Sequence, residues 1–476
     1  MRRFLQNSVM PALVGLAAVF SACSSDNNGN REDDGLLKTR AVSLTPVSED
    51  GITFRSGDVL YISDSKAGAR GAVSVLDYDA STGTFRGRLT YLNDDDNMTA
   101  FVKFASSDKV SVDTASRVMS IDYRNQSGTQ EDAARRSYAY AYSLHPSTLT
   151  VEGTPTVKLE YAGAMLRIRN AVGPQGERTT SAYRLYSTLN KASKKTRATT
   201  EQTPSAIYPL TTISLFGYAH TTNETGRITV TPTSESSDGY TYMAIPEGTL
   251  ETPILETQVT DNSTGLSYIT RTTVTGDNTT GSATTFSGKT YPVNPSREIA
   301  VGDFICGSSV SDPVAIVYST TTSRAMSIND ATGRKSWSTR EILPSSLSRY
   351  VASNASTDDG GYSIAAYLGE TGGSDYPAVR AAMTAFPTPK GVSSQWYLPT
   401  GSDWNAFVQG LGGVSSVNAL LREAGGDRLQ EAKYWTSSAN SLTQPYLMEI
   451  RSTSSAPVFY AQPLNAQNIV RPAIRY

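Results

Sequence analysis

The stretch VSVLDYDASTGTFRGRLTY, residues 73–91, decides the fold of this chain. Apolar and polar residues alternate through residues 73–79 and again through 84–91, and a Thr-Gly turn separates the two runs. Alternation with a period of two is typical of strands that bury one face and expose the other. The stretch therefore predicts two strands joined by a turn.

The same pattern recurs outward along most of the chain. Comparable runs lie at residues 57–62, 100–104, 157–161, 164–169 and 240–246. Short runs with turn signals about every 8 to 12 residues are typical of sandwiches and barrels. Residues 130–136 alone have a short, polar, helical character here. A seam at 153–155 divides the pattern, so we predict two β domains, at 41–154 and 155–297.

The composition changes near residue 298. All four tryptophans lie beyond residue 336, at Trp337, Trp396, Trp404 and Trp435. Capping residues at 400–403 precede Trp404, Phe407 and Val408, which share one face of a predicted helix. Residues 417–423 predict a second helix, so residues 298–476 are interpreted as an α+β domain. The tryptophans could stack on sugars, but tryptophan at helical spacing is more often core, and we expect the core role.

The N-terminal residues have the character of an export signal. Two arginines follow Met1, an apolar segment covers residues 9–20, and small residues lead to Cys23. This arrangement is typical of a secretory signal rather than a membrane span, and FSAC at 20–23 resembles a bacterial lipoprotein box. The resemblance implies a signal peptide at 1–22 and an acylated Cys23 that anchors the protein to a membrane. An ordinary signal with an incidental cysteine is the alternative.

Composition argues against several classes of function. A net charge of −2 leaves no basic face for nucleic acid. With Cys23 acylated, Cys306 is the only other cysteine, which excludes an intrachain disulfide. His145 and His220 lie in unrelated sequence contexts, so each is interpreted as a surface or strand residue and not as a ligand. The acidic cluster at 94–96 is interpreted as a solvated turn in preference to a calcium site. The sequence lacks metal-ligand spacings, a phosphate loop and a nucleophile elbow, so we expect no catalysis, metal or cofactor.

Polar and acidic residues between Cys23 and Arg40 predict a flexible tether over residues 23–40. Taken in order, the lipoprotein box, the tether and the two β domains resemble the fimbrillin family, the lipoprotein-derived subunits of type V pili. The main matching pieces are FRSGD at 54–58, the start of the second domain at 157–168, and GKTYPVN at 288–294. The resemblance covers about residues 1–297 and implies Greek-key or transthyretin-like β-sandwiches.

In this family an Arg-specific protease removes the N-terminal segment with its first strand. A sandwich without that strand exposes unpaired backbone groups and an apolar groove, so it captures a strand from another subunit. The resemblance implies cleavage between Arg40 and Ala41, just after the tether. It also implies a pilus stalk subunit as the partner, through donor-strand exchange.

The C-terminal part resembles a second family, the repeat domains of surface proteins with a C-type-lectin-like or formylglycine-generating-enzyme-like core. The matching pieces include VGDF at 301–304, WYLPT at 396–400, YWTSS at 434–438 and VRPAIR at 470–475. Lectin-type disulfides are excluded with Cys306 alone, and no calcium-binding triplet occurs, so calcium-dependent sugar binding is not implied. The predicted fold class is mainly β, with two β-sandwich domains followed by an α+β C-type-lectin-like domain.

The resemblance assigns residues 470–476 to the interior of the C-terminal domain, and a strand buried in its own domain cannot be donated. We therefore interpret the chain as a non-catalytic tip or accessory pilin, first lipid-anchored in the outer membrane and then part of the fimbrium. Loops such as 353–361 are expected to bind a host or bacterial surface glycan or protein. The alternatives are a glycan-binding lipoprotein of a nutrient-uptake system, a pilus anchor that keeps its lipid, and a surface enzyme.

Overall fold

The structure is a computed structural model that describes most of the chain from Lys38 onward. The described residues are 38–48, 52–64, 73–91, 100–136, 154–159, 163–169, 177–187, 210–215, 220–222, 227–232, 238–246, 248–280, 283–286, 288–309, 311–371, 373–451 and 456–476. The predicted signal peptide, Cys23, most of the tether, the acidic cluster at 94–96 and His145 lie outside these residues, as does the side chain of His220.

The described residues are mainly β, which confirms the predicted fold class at that level. The strands are β1 (Lys38–Ser48), β2 (Val59–Asp64), β3 (Ser74–Asp79), β4 (Thr84–Tyr91), β5 (Ala100–Ala105), β6 (Val110–Asp113), β7 (Val118–Asp122), β8 (Thr156–Leu159), β9 (Ala164–Arg169), β10 (Arg178–Ser187), β11 (Leu210–Ser214), β12 (His220–Thr222), β13 (Ile228–Val230), β14 (Tyr240–Ile245), β15 (Gly248–Glu251), β16 (Pro253–Asp261), β17 (Ser267–Thr273), β18 (Asn278–Thr280), β19 (Ala283–Phe286), β20 (Thr290–Val293), β21 (Phe304–Cys306), β22 (Pro313–Ser319), β23 (Arg324–Ser327), β24 (Lys335–Ser336), β25 (Lys433–Ser441), β26 (Gln444–Glu449), β27 (Val458–Ala461), β28 (Gln467–Asn468) and β29 (Ala473–Arg475).

Helices are short, and most of them lie in the C-terminal part. They are α1 (Gln130–Arg135), α2 (Gly360–Thr371), α3 (Pro377–Thr384), α4 (Gly401–Gly410) and α5 (Val414–Glu423), with 3-10 turns at Ser345–Tyr350, Ala355–Thr357 and Gly373–Asp375. The sequence-predicted helices α1, α4 and α5 are thus confirmed. Thr400 and Asp403 form a reciprocal capping box that starts α4. Within the described residues, no helix is both long and apolar enough to cross a bilayer.

The two strands predicted from residues 73–91 lie in the middle of a six-stranded sheet. Its order is β5-β2-β3-β4-β1-β8. β3 and β4 pair antiparallel with Leu76 opposite Gly87, where a Cβ would come within 2.4 Å of the carbonyl oxygen of Val75. The apolar face of this pair contributes Leu76 and Phe85, and Phe85 packs edge-to-face against Phe54. Period-two alternation therefore becomes one buried and one exposed face, as expected.

Strand pairs cross the predicted boundary between the two β domains. β1 pairs with β8, and β7 pairs with β11, although β8 and β11 belong to the predicted second domain. One apolar cluster of buried side chains extends from Val42 to Val293. The N-terminal and middle parts of the chain, residues 38–154 and 155–297, therefore share a core.

An eight-stranded sheet joins the middle part to the C-terminal part. Its order is β13-β10-β16-β17-β21-β22-β23-β29. At the junction, β17 and β21 pair antiparallel, with Tyr268 opposite Ile305 and Ile269 opposite Phe304. α4 packs against β22 and α5 and buries Trp404, Phe407 and Val408. The C-terminal part is therefore an α+β unit built on the end of a sheet that begins in the middle part.

Candidate strand-exchange and recognition sites

Strand β1 contains the predicted cleavage site. Its first part pairs antiparallel with β4, with Arg40 opposite Leu89 and Ala41 opposite Arg88. The side chains of Arg40 and Ala41 are exposed, whereas Val42 and Leu44 are buried in the shared core. The Arg40–Ala41 bond thus lies inside a paired strand, and not ahead of the strand as the sequence predicts. A protease would need local opening of β1 to reach it.

Cleavage at this bond would release only a short piece of β1. The piece on the leader side is Lys38–Arg40, and its described side chains, Thr39 and Arg40, are exposed. Val42 and Leu44, which fill the groove beside β4, lie on the mature side of the bond. A single cut after Arg40 therefore removes backbone pairing from the edge of β4 but does not empty the apolar groove.

The second part of β1 has a different partner. From Thr45 to Ser48 it runs parallel to β8, and the backbone N–H of Thr45 donates to the carbonyl of Pro155 at 2.8 Å. β1 is thus shared between β4 in the N-terminal part and β8 at the start of the middle part. Displacing the whole of β1 would break both sets of contacts.

The C-terminal strand β29 is enclosed on both edges. On one edge Ala473 and Ile474 lie opposite Met326 and Ala325 of β23. On the other edge Ala473 exchanges two backbone hydrogen bonds with Tyr397, each 2.9 Å long. The side chains of Ala473 and Ile474 are fully buried. This confirms the expectation that residues 470–476 lie within the C-terminal fold.

The four tryptophans are core residues, as the sequence predicts. Each indole ring is fully buried. The indole N–H groups of Trp337, Trp404 and Trp435 donate to the backbone carbonyls of Thr436, Trp435 and Lys335 at 2.8, 3.3 and 2.7 Å. A buried indole with a satisfied N–H packs the interior. These rings therefore form no exposed platform for a sugar.

The loop at 353–361, predicted to be a recognition surface, is only partly exposed. Asp358 is buried, and its carboxylate accepts a hydrogen bond from the N–H of Gly360 at 2.7 Å. A Cβ at Gly361 would come within 2.7 Å of Ser437, so the end of the loop packs tightly. Ser353 and Thr357 are exposed along its outer edge. The prediction of ligand binding here is limited to that edge.

A partly buried charged cluster that the sequence analysis missed lies where the middle and C-terminal parts meet. Arg271 of β17 donates to Glu423, at the end of α5, through two hydrogen bonds of 3.0 and 2.8 Å. The hydroxyl of Tyr186 also donates to Glu423. Arg227 lies over the ring of Tyr186 and contacts the carboxylate of Glu256 at 3.3 Å. We call Tyr186, Arg227, Glu256, Arg271 and Glu423 the junction cluster.

The sequence contains only a weak indication of the junction cluster. Glu256 and Arg271 are charged residues inside the strands β16 and β17, and Glu256 is fully enclosed. Burial raises the pKa of Glu256 despite the nearby arginines. Charged residues inside a strand indicate either an exposed face or a buried, oppositely charged partner. The sequence alone does not show which residue that partner is.

The described residues contain no group of three or more His, Cys, Asp or Glu side chains that could hold a metal ion. Cys306 lies in β21 as a buried thiol, and burial raises its pKa to about 12. A thiol with so high a pKa stays protonated and is a poor nucleophile.

Asp303 is a buried carboxyl group in the turn before β21. It accepts a hydrogen bond from the N–H of Ala300 at 2.7 Å, yet burial raises its pKa to about 7. An aspartate in an unfolded chain has a pKa of about 3.9. The folded protein thus holds this proton more tightly, so Asp303 makes stability fall as the pH rises from about 4 through 7.

Asp303→Asn should remove this pH dependence, because the amide keeps an acceptor oxygen and does not ionise. We expect the variant to be more stable than wild type by roughly 2–4 kcal/mol at about pH 8, and by much less at about pH 5. Urea unfolding of the C-terminal part at both pH values measures the difference. The exposed Glu431→Gln serves as the control, and a gain for Asp303→Asn that is the same at both pH values would contradict the prediction.

No family model and no curated protein sequence matches this chain. Among solved structures, the chain is similar to a fimbrial protein from Bacteroides ovatus at 13% identity and a TM-score of 0.29, covering 93% of this chain and 99% of that one. It is also similar to a candidate cell adhesion protein from Bacteroides uniformis at 13% identity and a TM-score of 0.34, covering 56% of this chain and 98% of that one.

Proposed function

We propose that this chain is a non-catalytic tip or accessory pilin of a type V pilus. It is exported as a lipoprotein through Cys23, cleaved after Arg40, and joined to a stalk subunit by donor-strand exchange. The C-terminal part, residues 298–476, mediates adhesion. The observation that carries this proposal is the enclosure of β29, which pairs with β23 on one edge and is hydrogen-bonded through Ala473 to Tyr397 on the other.

The enclosure of β29 bears on assembly because a growing fibre needs a subunit whose terminal strand is free to donate. Withdrawing β29 would unpair one edge of β23 and expose Ala473 and Ile474, which are fully buried. A subunit that accepts a strand at its N-terminal end and keeps β29 in its own fold cannot pass β29 on to the next subunit. The proposal therefore assigns this protein to the tip of the pilus or to a position on its side.

In this proposal, β1 occupies the site that accepts the incoming strand. Cleavage after Arg40 would leave the edge of β4 without its partners for Leu89, Thr90 and Tyr91. An incoming strand would pair with that edge first. It would then displace the rest of β1 and exchange its own apolar side chains for Val42 and Leu44.

One observation favours a second candidate function, a pilus anchor that keeps its lipid. The Arg40–Ala41 peptide bond lies in the part of β1 that pairs with β4. The buried apolar side chains of β1 lie on the C-terminal side of this bond. An uncleaved protein would keep a complete first strand and its acylated Cys23. The two candidates differ in the mature N-terminus.

Mass spectrometry of the N-terminus on shed, assembled pili tests the proposal. Wild-type protein is expected to begin at Ala41, and Arg40→Ala should remain at the membrane with acylated Cys23. Arg55→Ala is the matched control, because Arg55 is also an exposed arginine in the N-terminal part. Assembled pili that begin at Cys23 or Ser24 would contradict cleavage and would favour the anchor.

A further inference from the structure

A polar cavity of about 500 Å³ opens on the surface of the C-terminal part. It lies between the segment after β24, the turn joining β25 to β26, and the segment before β28. Its lining residues are Ser336, Ser338, Thr339, Arg340, Glu341, Thr443, Pro463, Leu464, Asn465 and Gln467. We call it the 336–467 cavity, and it is separate from the loop at 353–361.

The walls of the 336–467 cavity are fixed by backbone hydrogen bonds. The N–H groups of Trp337 and Ser338 both donate to the carbonyl of Leu464, at 2.9 and 3.1 Å. Ser336 pairs with Gln467 across β24 and β28. Trp337, next to the lining residues Ser336 and Ser338, is fully buried. A ligand would therefore meet a formed site, which lowers the ordering cost of binding.

Several polar side chains of the lining are available to bind a ligand. Within the described part of the chain, the side chains of Ser336, Glu341, Asn465 and Gln467 have no hydrogen bond or ion pair with other residues. Hydroxyl and amide groups both donate and accept hydrogen bonds. The cavity thus has several unused donors and acceptors close together.

The charge of the cavity restricts the ligand. Arg340 is paired with Asp375, to which its Nε donates at 2.6 Å, so its charge is already matched. Glu341 keeps an exposed carboxylate on the wall. The cavity therefore has no unmatched positive charge for an anionic group, and Glu341 repels one.

We propose that the 336–467 cavity binds a neutral oligosaccharide. Sugar hydroxyls match the hydroxyl and amide groups of the lining, and the exposed Pro463 provides apolar surface for the C–H face of a sugar ring. The volume lies within the usual range for small-ligand pockets, about 300–1,000 Å³. A protein partner would be favoured by exposed aromatic anchors, and the lining residues include none. The inference rests on the proposed adhesive function and assigns its ligand class.

Binding of the purified full-length protein to an array of neutral and sialylated oligosaccharides, with unmodified peptides as a third class, tests the inference. We expect binding to neutral glycans and none to sialylated ones. Asn465→Ala/Gln467→Ala should weaken that binding by about tenfold or more, because two hydrogen-bonding side chains are lost. The control is Ser415→Ala/Gln430→Ala, at two exposed positions outside the cavity lining, which should bind like wild type. Ser353→Ala/Thr357→Ala tests the loop at 353–361 in parallel.

Each outcome bears on the inference. Melting temperatures equal to wild type for all three double variants establish that any loss is local. Absence of glycan binding, binding of peptides alone, or glycan binding unchanged in Asn465→Ala/Gln467→Ala would overturn it. A loss in Ser353→Ala/Thr357→Ala alone would move the site to the loop at 353–361. The mature N-terminus is an independent readout, so the tip proposal can stand when the glycan site fails.

Discussion

Trp404→Ala is expected to unfold the C-terminal part of the protein before it alters any binding selectively. The Trp404 ring is fully buried in α4, where it packs against Tyr434 with ring centroids 5.1 Å apart and against Phe407 at 6.2 Å. Truncating a buried tryptophan to alanine costs about 3–5 kcal/mol, from lost burial and the cavity left behind. A whole domain is stable by only about 5–15 kcal/mol.

Thermal melting monitored by near-ultraviolet circular dichroism tests this expectation. The transition of the C-terminal part should shift to a markedly lower temperature in Trp404→Ala. Gln409→Ala, at an exposed position of the same helix, is the matched control and should melt near wild type. A Trp404→Ala protein that melts like wild type yet binds no ligand would overturn the core assignment and make the tryptophans a ligand platform.

Arg135→Met is expected to destabilise the N-terminal part by about 3–5 kcal/mol, because it leaves a buried carboxylate without its partner. Two guanidinium nitrogens of Arg135 donate to the two carboxylate oxygens of Asp58, at 3.0 and 2.8 Å. The side chains of Arg135 and Asp58 are 1% and 0% exposed. Arg135 also donates to the carbonyl of Thr53 at 2.7 Å, so it ties α1 to the segment before β2.

The same helix provides the control for Arg135→Met. Arg55 pairs with Glu131, but their side chains are 48% and 42% exposed. Exposed pairs contribute about 0–1 kcal/mol, so Arg55→Ala should be nearly neutral. Urea unfolding of both variants measures the contrast, and equal effects would contradict the view that burial decides the strength of these pairs.

Acid should weaken the Arg135–Asp58 pair as well. Burial opposes the charged carboxylate, but hydrogen bonds from Arg135 and from the N–H groups of Ser107 and Arg55 hold the pKa of Asp58 below its ordinary value. A lowered carboxyl pKa stabilises the fold above the unfolded pKa, and this contribution is lost as the pH falls through the folded pKa.

Local patterns in the sequence predicted local structure well. Alternation gave the two strands at 73–91, and the 3.6-residue spacing of Trp404, Phe407 and Val408 gave α4 and its buried face. These patterns work because a strand or helix that buries one face must repeat apolar residues with its own period. The core role of the tryptophans followed from the same rule.

The sequence does not predict contacts between residues that are far apart along the chain. Residues 38–40 are polar, so the sequence predicts that they belong to the tether, whereas pairing with β4 makes them the start of a strand. The parallel contact of β1 with β8 joins residues more than a hundred positions apart. The junction cluster likewise depends on Arg271 and Glu423 meeting in space. Such contacts leave no periodic signal in one sequence.

The continuous sheet through β17 and β21 also has a mechanical consequence. Parts of a chain joined by small polar interfaces ordinarily pivot about their linker. Here a pull on the outer surface of the C-terminal part is carried by the backbone pairing of Tyr268 with Ile305 and by the Arg271–Glu423 ion pair. We therefore expect the two parts to move as one stiff unit, in which a force on the C-terminal part reaches the strands of the middle part without a hinge between them.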